Sequence, residues 1–419
     1  MKNDQIIIFG ASEAGLNFYD QWSHLYNIKC FMDNDPNKWG KKLNGIDIVS
    51  PDVLESRDTV FVASMYYEEI EKQLLEKGLN KIYGCPIFYV CGRSDERYDG
   101  ALKRIKSKLE RLEVSELSIS NYSKKYLDSI KKNLSQQLQI YKEIIQVVYT
   151  DTDESIENTS FLDYGGGTGI LGCLAKELGI KRVYYSDIYD VAVKDARTIA
   201  TELGYELHGH ITGDETTVAK YFLDEGIQLG GIGSYDVLEH IYDVESFFNI
   251  ILESLEKGAS ICMATSANSY NPKIVERLIK VHDELEYRDR ADYEGHKQRD
   301  ALDSYFKIRK KIIKNLLNQD VDLENDDIVE LLAKKSRGLN QSDIELVVKE
   351  YIETGKMNRD RNNRFPSNTC DPYTGNWGEQ LIDYDLLVDS LTEQGVDVQL
   401  LPKKSIEKSG VLALLLRKV

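Results

Sequence analysis

Positive charge is what this chain has too little of: 53 Lys and Arg stand against 70 Asp and Glu, a formal net charge of −17. Binding to phosphate backbones calls for a basic face and gains affinity by counterion release, so DNA and bulk RNA are not expected as partners. The cysteines are scattered. Cys30, Cys85, Cys91, Cys173, Cys262 and Cys370 form no CxxC pair, which removes a zinc knuckle and a disulfide framework and suits a reducing compartment. No segment reaches the roughly 18 consecutive apolar residues of a membrane helix. The opening MKNDQIIIFG runs a short apolar stretch straight into a glycine turn, too short for the core of a signal peptide. A soluble, cytoplasmic protein without a membrane span is therefore expected. HxxxH and HExxH patterns are missing too, so His282 and His296, which stand near Asp283, Glu284 and Glu294, are expected as solvated helical histidines and no metal is expected.

What is present is a foldable chain of several units. Hydrophobic residues make up 42% and charged residues 29% of 419 residues, enough for two or three packed domains. Up to about residue 95, short apolar runs alternate with amphipathic stretches: strands at Ile6 to Phe9, Ile28 to Met32, Val60 to Ala63 and Lys81 to Tyr83, with a helix from Glu13 to Leu25. This is the pattern of βαβ units on a parallel sheet. Residues 96–155 are rich in Lys, Glu, Leu and Ile at helical spacing and read as a helical connector. A second alternation spans 156–270 and resumes over 380–419. Residues 271–379 interrupt it as a polar, mostly helical insertion. The last two strands, VQLLP and VLALLLR, are joined by KKSIEKSG, about eight residues and too short for a helical crossover, so they should run antiparallel.

The chemistry concentrates in the second alternation. FLDYGGGTG places a strand before a glycine-dense turn that opens a helix, where backbone N–H groups are free to meet a ligand. About 20 residues later Asp187 ends the next strand, where a carboxylate can accept both hydroxyl protons of a ribose. These two features suit a dinucleotide as well as a methyl donor. Asp214 follows the third strand, and the fourth runs into Tyr235-Asp236-Val237-Leu238-Glu239-His240-Ile241.

With that ordered series the sequence resembles class I S-adenosylmethionine-dependent methyltransferases, particularly the ubiquinone-biosynthesis-like group whose fourth strand ends in a DVLEH-type run. The two alternations predict an α/β fold of two Rossmann-like doubly wound units; the resemblance, over roughly residues 155–270 and 380–419, implies that the second is a class I methyltransferase sheet with an antiparallel last strand and a helical insertion. It implies S-adenosyl-L-methionine as cofactor. Gly165, Gly167 and Gly169 would surround its amino-acid part, with Asp163 fixing the turn and Asp236 in the same pocket. Asp187 would hold the ribose, Ile188 would pack on adenine, and Asp214 would bond the adenine amino group. Two positions depart from the pattern: Gly166 stands where a larger residue is common, and the fourth strand is glycine-rich, Gly230-Gly231-Ile232-Gly233, without a leading aspartate. His240 is the candidate base for an acceptor hydroxyl; the alternative is that Glu239 and His240 only cap and pack.

The insertion lies at the carboxyl edge of the sheet, where open α/β folds bind ligands, and reads as an acceptor lid. Arg359, Arg361 and Arg364 could donate to phosphate, and Trp377 could stack on a ring, with Asn376 and Glu379 as further acceptor-binding candidates; a plain polar loop is the alternative. In the first unit IIIFGASEAG has Ser12 at the middle glycine position of a GxGxxG pattern, and Asp33 ends the second strand where a ribose-binding acid would lie. The continuation FMDNDPNKWGKKLNGIDIVSPDVL resembles small domains at the start of bacterial surface-glycan biosynthesis enzymes, which implies nucleotide-sugar binding and a small-molecule acceptor of sugar, nucleotide-sugar or glycan type. A non-sugar metabolite as acceptor, or a nucleotide-sensing scaffold without activity, remain open on the same residues.

Overall fold

The computed structural model describes residues 5–64, 66–90, 96–150, 156–290, 302–320, 326–356 and 364–418. The first unit contains β1 (Gln5–Phe9), α1 (Glu13–Trp22), β2 (Asn27–Met32), β3 (Lys42–Leu43), β4 (Ile46–Val49), β5 (Thr59–Val62), α2 (Tyr67–Glu76) and β6 (Lys81–Gly84). Its sheet order is β3-β4-β2-β1-β5-β6, parallel except for the β3–β4 pair. The four expected strands are present. The β3–β4 hairpin was not anticipated, although its turn carries Asn44 and Gly45, both at positive φ, the pairing favoured by a two-residue type I′ hairpin.

The connector forms α3 (Glu96–Arg111), α4 (Asn121–Lys132) and α5 (Leu134–Val148). Helix α5 is buried along most of its length because it lies against the second sheet. That sheet comprises β7 (Ser160–Tyr164), α6 (Ile170–Glu177), β8 (Arg182–Asp187), α7 (Asp190–Glu202), β9 (Gly209–Thr212), α8 (Glu215–Asp224), β10 (Leu229–Tyr235), α9 (Val244–Ile251) and β11 (Leu255–Thr265). The glycines of β10 now have a reason. A Cβ at Gly231 would collide with Val148, and one at Gly233 would fall 2.7 Å from Ile144 Cγ2 and 2.5 Å from Phe161 Cζ. The strand is stripped of side chains so that α5 can lie flush on it, which puts Ile144 and Val148 into the core at a gain of about 1.5–3 kcal/mol for each buried side chain.

The insertion supplies α10 (Pro272–Tyr287), α11 (Tyr305–Asp320), α12 (Asp326–Lys335) and α13 (Gln341–Thr354), which share an apolar core built on Ile308, Ile313, Leu332 and Val347. The chain then returns through α14 (Tyr384–Glu393), β12 (Asp397–Leu401) and β13 (Leu412–Arg417). Strand β13 inserts antiparallel between β11 and β12, giving the order β12-β13-β11-β10-β7-β8-β9. The short link before it permits only that direction. The fold is thus α/β with two doubly wound sheets. Among the described residues no helix is long and apolar enough to cross a membrane, and no disulfide joins the described cysteines; Cys91 lies outside them.

The insertion depends on one buried charge pair. Arg309, fully buried, donates through Nε to Ala333 O at 3.0 Å and through Nη2 to Glu286 Oε1; Thr369 Oγ1 donates to Glu286 Oε2 at 2.6 Å. Removing one partner strands the other charge in the core, a loss of about 3–5 kcal/mol. Glu286→Ala is expected to accelerate hydrogen exchange across α10 to α13 while the second sheet keeps its protection. Equal protection in the variant would show that the pair does not hold the insertion together.

Candidate functional site

Strand β7 ends at Tyr164, and the chain then turns through Gly165, Gly167 and Gly169, all in the left-handed region with φ of 63°, 53° and 73°. Only glycine takes that conformation without strain. Asp163 is folded underneath the turn and accepts Gly172 N–H at 2.9 Å through Oδ2. A Cβ at Gly166 would lie 2.5 Å from the Asp163 carboxyl; the departure at Gly166 is what lets the acid sit there. Burial pushes the Asp163 carboxyl up to about 7, with Gly172 N–H pulling the other way and Asp187 adding to the rise.

At the end of β8, Asp187 accepts Tyr189 N–H at 2.9 Å through Oδ1 and Gly167 N–H at 3.2 Å through Oδ2. The carboxylate therefore holds the glycine turn, and Tyr185 braces it from below by donating to Gly167 O at 2.7 Å. Ile188, next along the chain, is an exposed apolar side chain at the mouth of this strand end. Asp214 caps α8, its Oδ1 accepting from Thr217 N and Oγ1 at 2.9 and 2.8 Å.

At the end of β10 a left-handed residue meets a buried acid. Asp236 has φ of 53°, a conformation a non-glycine side chain holds only when its surroundings impose it. Its Oδ1 accepts Ser266 N–H at 2.7 Å. Glu239 is 1% exposed, lies within hydrogen-bonding reach of Asp236 and Thr265, and leaves Oε2 with no partner. Burial first, and the Asp236 charge second, push the Glu239 carboxyl well above the ordinary carboxylate range. The buried phenol of Tyr384 shares this neighbourhood and also has an unpartnered oxygen.

Tyr126, carried by α4, closes the gap between the two halves of the site. Its ring comes within 3.2 Å of where a Gly167 Cβ would be, stacks on Tyr122 at 6.4 Å, and lies in the field of Asp236, Glu239 and Asp163. Burial is the main cause that raises its phenol. The sequence reading did not single out Tyr126 or Glu239 as working groups. Two tyrosines four residues apart on an otherwise charged helix were the available signal for the first, since they share a helix face.

His240 is tied to the returning end of the insertion. Its Nδ1 donates to Trp377 O at 2.8 Å, its carbonyl accepts Trp377 N–H at 3.3 Å, and Gln380 N–H donates to Glu239 O at 3.0 Å. Residues 376–380 thus lie along 239–242, and Asn376, Trp377 and Glu379 are brought beside the DVLEH run. Trp377 is a buried anchor rather than an open stacking face: it stacks on Tyr242 at 5.7 Å and donates through Nε1 to Tyr242 O. Glu379, at φ 59°, faces Arg277 at 3.6 Å and accepts from His282 Nε2 through its carbonyl at 2.9 Å. His282 is accordingly a buried, hydrogen-bonded histidine and not the solvated one expected. Arg364 reaches Asp383 and Asp385 at the start of α14. Arg359, Arg361, Glu294 and His296 lie outside the described residues. No group of three His, Cys, Asp or Glu side chains with metal-holding geometry occurs among the described residues.

In the first unit the turn after β1 folds on itself. Asp33 accepts Ala11 N–H at 2.9 Å and Lys38 Nζ at 2.7 Å through Oδ2, and Asp35 N–H at 2.9 Å through Oδ1. Gly15 packs so closely on Gly10 O that a Cβ would overlap it. The acid expected at a ribose is occupied by the protein's own donors.

A family model described as C2185-like, N-terminal, matches residues 2–82. No curated protein matches the chain in sequence. Among solved structures, the chain is similar to a ribosomal protein L11 methylase from Lactobacillus delbrueckii subsp. bulgaricus (21% identity over 35% of this chain and 68% of that one, TM-score 0.25). It is also similar to an S-adenosylmethionine-dependent methyltransferase from Mesorhizobium loti (17%, 28% and 52%, TM-score 0.23) and to a SAM-dependent methyltransferase from Agrobacterium tumefaciens (15%, 31% and 44%, TM-score 0.26). The chain spans about half the length of the latter two. What the site can do follows from its own residues.

Proposed function

We propose that the second unit is an S-adenosylmethionine-dependent methyltransferase acting on a hydroxyl of a small molecule. The observation that carries this is the left-handed glycine turn pinned by a carboxylate at the end of the neighbouring strand, on a sheet closed by an inserted antiparallel strand. The turn fits an amino-acid moiety at close backbone approach. Asp187, at the end of β8 beside the turn, is where a carboxylate meets vicinal hydroxyls in open α/β sheets. Exposed Ile188 offers an apolar cover for a base, and Asp214 Oδ2 has no hydrogen bond among the described residues. The bound cofactor would supply a methyl group on a positively charged sulfur. The Asp236 carboxyl and the tyrosine ring over Gly167 suit a cation at that position.

Acids and phenols, Asp236, Glu239, Tyr126 and Tyr384, gather around the end of β10. Such a cluster disfavours phosphate and suits an uncharged hydroxyl compound, as the net charge of −17 also does. A sugar-type hydroxyl is the acceptor class we carry forward from the sequence resemblance of the first unit. Unpartnered oxygens on Glu239 and Tyr384 supply hydrogen-bonding capacity for that hydroxyl. The pair of Asp236 and Glu239 receives the hydroxyl proton as the oxygen takes the methyl group and the carbon–sulfur bond breaks. His240 is then a positioning residue, holding Trp377 and with it the insertion against the cleft.

Isothermal titration with S-adenosylhomocysteine tests the first claim: micromolar binding is expected, and Asp187→Ala should weaken it by about 100-fold or more, since it loses both the ribose acceptor and the hold on Gly167. Binding that survives this substitution would sink the site assignment. A release assay for S-adenosylhomocysteine over a panel of sugars, nucleotide-sugars and other hydroxyl metabolites then identifies the acceptor. With it, Glu239→Gln should cut kcat by roughly 10²–10⁴ and leave S-adenosylhomocysteine affinity intact. His240→Ala should instead raise the acceptor KM with a smaller effect on kcat; the reverse split would return the proton-accepting role to His240.

A further inference from the structure

The first unit has its own ligand-sized space, away from the turn that Asp33 occupies. Its strands step outward from β1 through β2 to the β3–β4 hairpin, then cross back to β5 and β6, so the carboxyl ends of β1 and β5 form a topological switch point. Open α/β sheets place ligands in that crevice. A cavity of about 610 Å³ lies on the β5 side of it, between α1 and the ends of β5 and β6, inside the usual range of small-molecule sites, about 300–1,000 Å³. One flank of α1, the segments leaving β5 and β6, and the connector helices α3 and α5 enclose it. Lys408, Ser409 and Gly410, from the link before β13, complete the wall.

The chemistry of the wall defines what it takes. Most of its charged side chains are paired: Lys106 with Glu71 at 2.9 Å, Lys142 with Asp99 at 3.1 Å, and Lys408 with Asp20, which leaves one charge of each sign, Lys103 and Glu96. The rest of its polar lining has hydrogen-bonding capacity without charge. Gln21 is 5% exposed, lines the cavity, and its carboxamide makes no hydrogen bond among the described residues. Asn17, one turn earlier on the same face, is equally without a partner there. Ser135 Oγ is buried and unpartnered on the opposite wall. Phe18 and Tyr83 contribute ring surface between them. A hydroxyl buried with nothing to bond, as at Ser135, costs free energy unless a ligand or water completes it.

We propose that this cavity is a second ligand site, separate from the glycine-turn cleft, for an uncharged ring bearing several hydroxyls, with Gln21, Asn17 and Ser135 reading the hydroxyls and Phe18 and Tyr83 covering the ring face. A nucleoside and a sugar share this chemistry. The proposal does not rest on methyl transfer.

The test is ligand-observed NMR and calorimetry on the full chain saturated with S-adenosylhomocysteine, which keeps nucleosides out of the first cleft. The probes are uridine, adenosine, N-acetylglucosamine, maltose, uridine monophosphate and inorganic phosphate. At least one uncharged probe should bind at millimolar concentration or better, and which one responds separates nucleoside from sugar. Gln21→Leu should weaken it by roughly tenfold, and Ala14→Trp, an exposed position lining the cavity, should block it sterically. S-adenosylhomocysteine affinity should stay the same in both variants. Silence from every uncharged probe, binding indifferent to both substitutions, or phosphate-bearing probes binding more than about tenfold tighter than uridine would each overturn the assignment.

Discussion

A single buried carboxylate sets the relation between the two sheets. Glu143 on α5 is fully buried and accepts three successive backbone N–H groups, those of Ile87, Phe88 and Tyr89 at 2.8–2.9 Å, together with Gln139 Nε2 at 2.8 Å. The segment leaving β6 has no strand neighbour to satisfy those amides, and the carboxylate takes that place. Burial raises the Glu143 carboxyl while the four donors pull it down, burial being the larger effect. The same helix presses Ile144 and Val148 onto the bare glycines of β10. Once α5 is fixed at both faces, the helices beside it follow: α4 brings Tyr126 over the glycine turn, and the start of α5 brings Ser135 to the cavity of the first unit.

The second sheet uses its acids by position. Each lies at a carboxyl end of a parallel strand, where backbone N–H groups of the next turn converge. Asp163 and Asp187 take those donors and stiffen the turn. Asp236 takes one from Ser266 at the cost of a left-handed backbone, about 1–3 kcal/mol of local strain. Glu239 takes none through Oε2. A gradient from satisfied to unsatisfied carboxyls therefore runs from the glycine turn toward the insertion, and reacting groups are expected at the unsatisfied end.

The insertion and the cavity of the first unit are joined through one short link. The carbonyl of Ser409, whose residue lines the cavity of the first unit, accepts Asn268 Nδ2 and Asn271 Nδ2, each at 3.0 Å. Asn268 follows β11, and Asn271 caps α10, the first helix of the insertion. Lys273 on that helix in turn pairs with Glu13 on α1. That pair is exposed and contributes little stability; the amide bonds to Ser409 are the firmer join. The insertion is thus rooted in the element that closes the other unit's cavity.

What could be read from the sequence follows the range of the interactions involved. Strand, turn and helix at 160–177 depend on residues adjacent in the chain, and the antiparallel ending follows from the length of one link, so both were legible. The roles of Gly166, Gly231 and Gly233 were visible only as departures, because their causes are Asp163, Val148 and Ile144, brought near by folding. Trp377 illustrates the same limit from the other side. An aromatic among arginines and asparagines reads as an open binding face, yet the DVLEH run offers unpaired backbone groups at 239–242 that need partners. The Trp377 segment satisfies them, and an indole that anchors such a pairing is buried by the act of anchoring. Long-range backbone satisfaction, which no local pattern encodes, decides which polar-looking residues are left for chemistry.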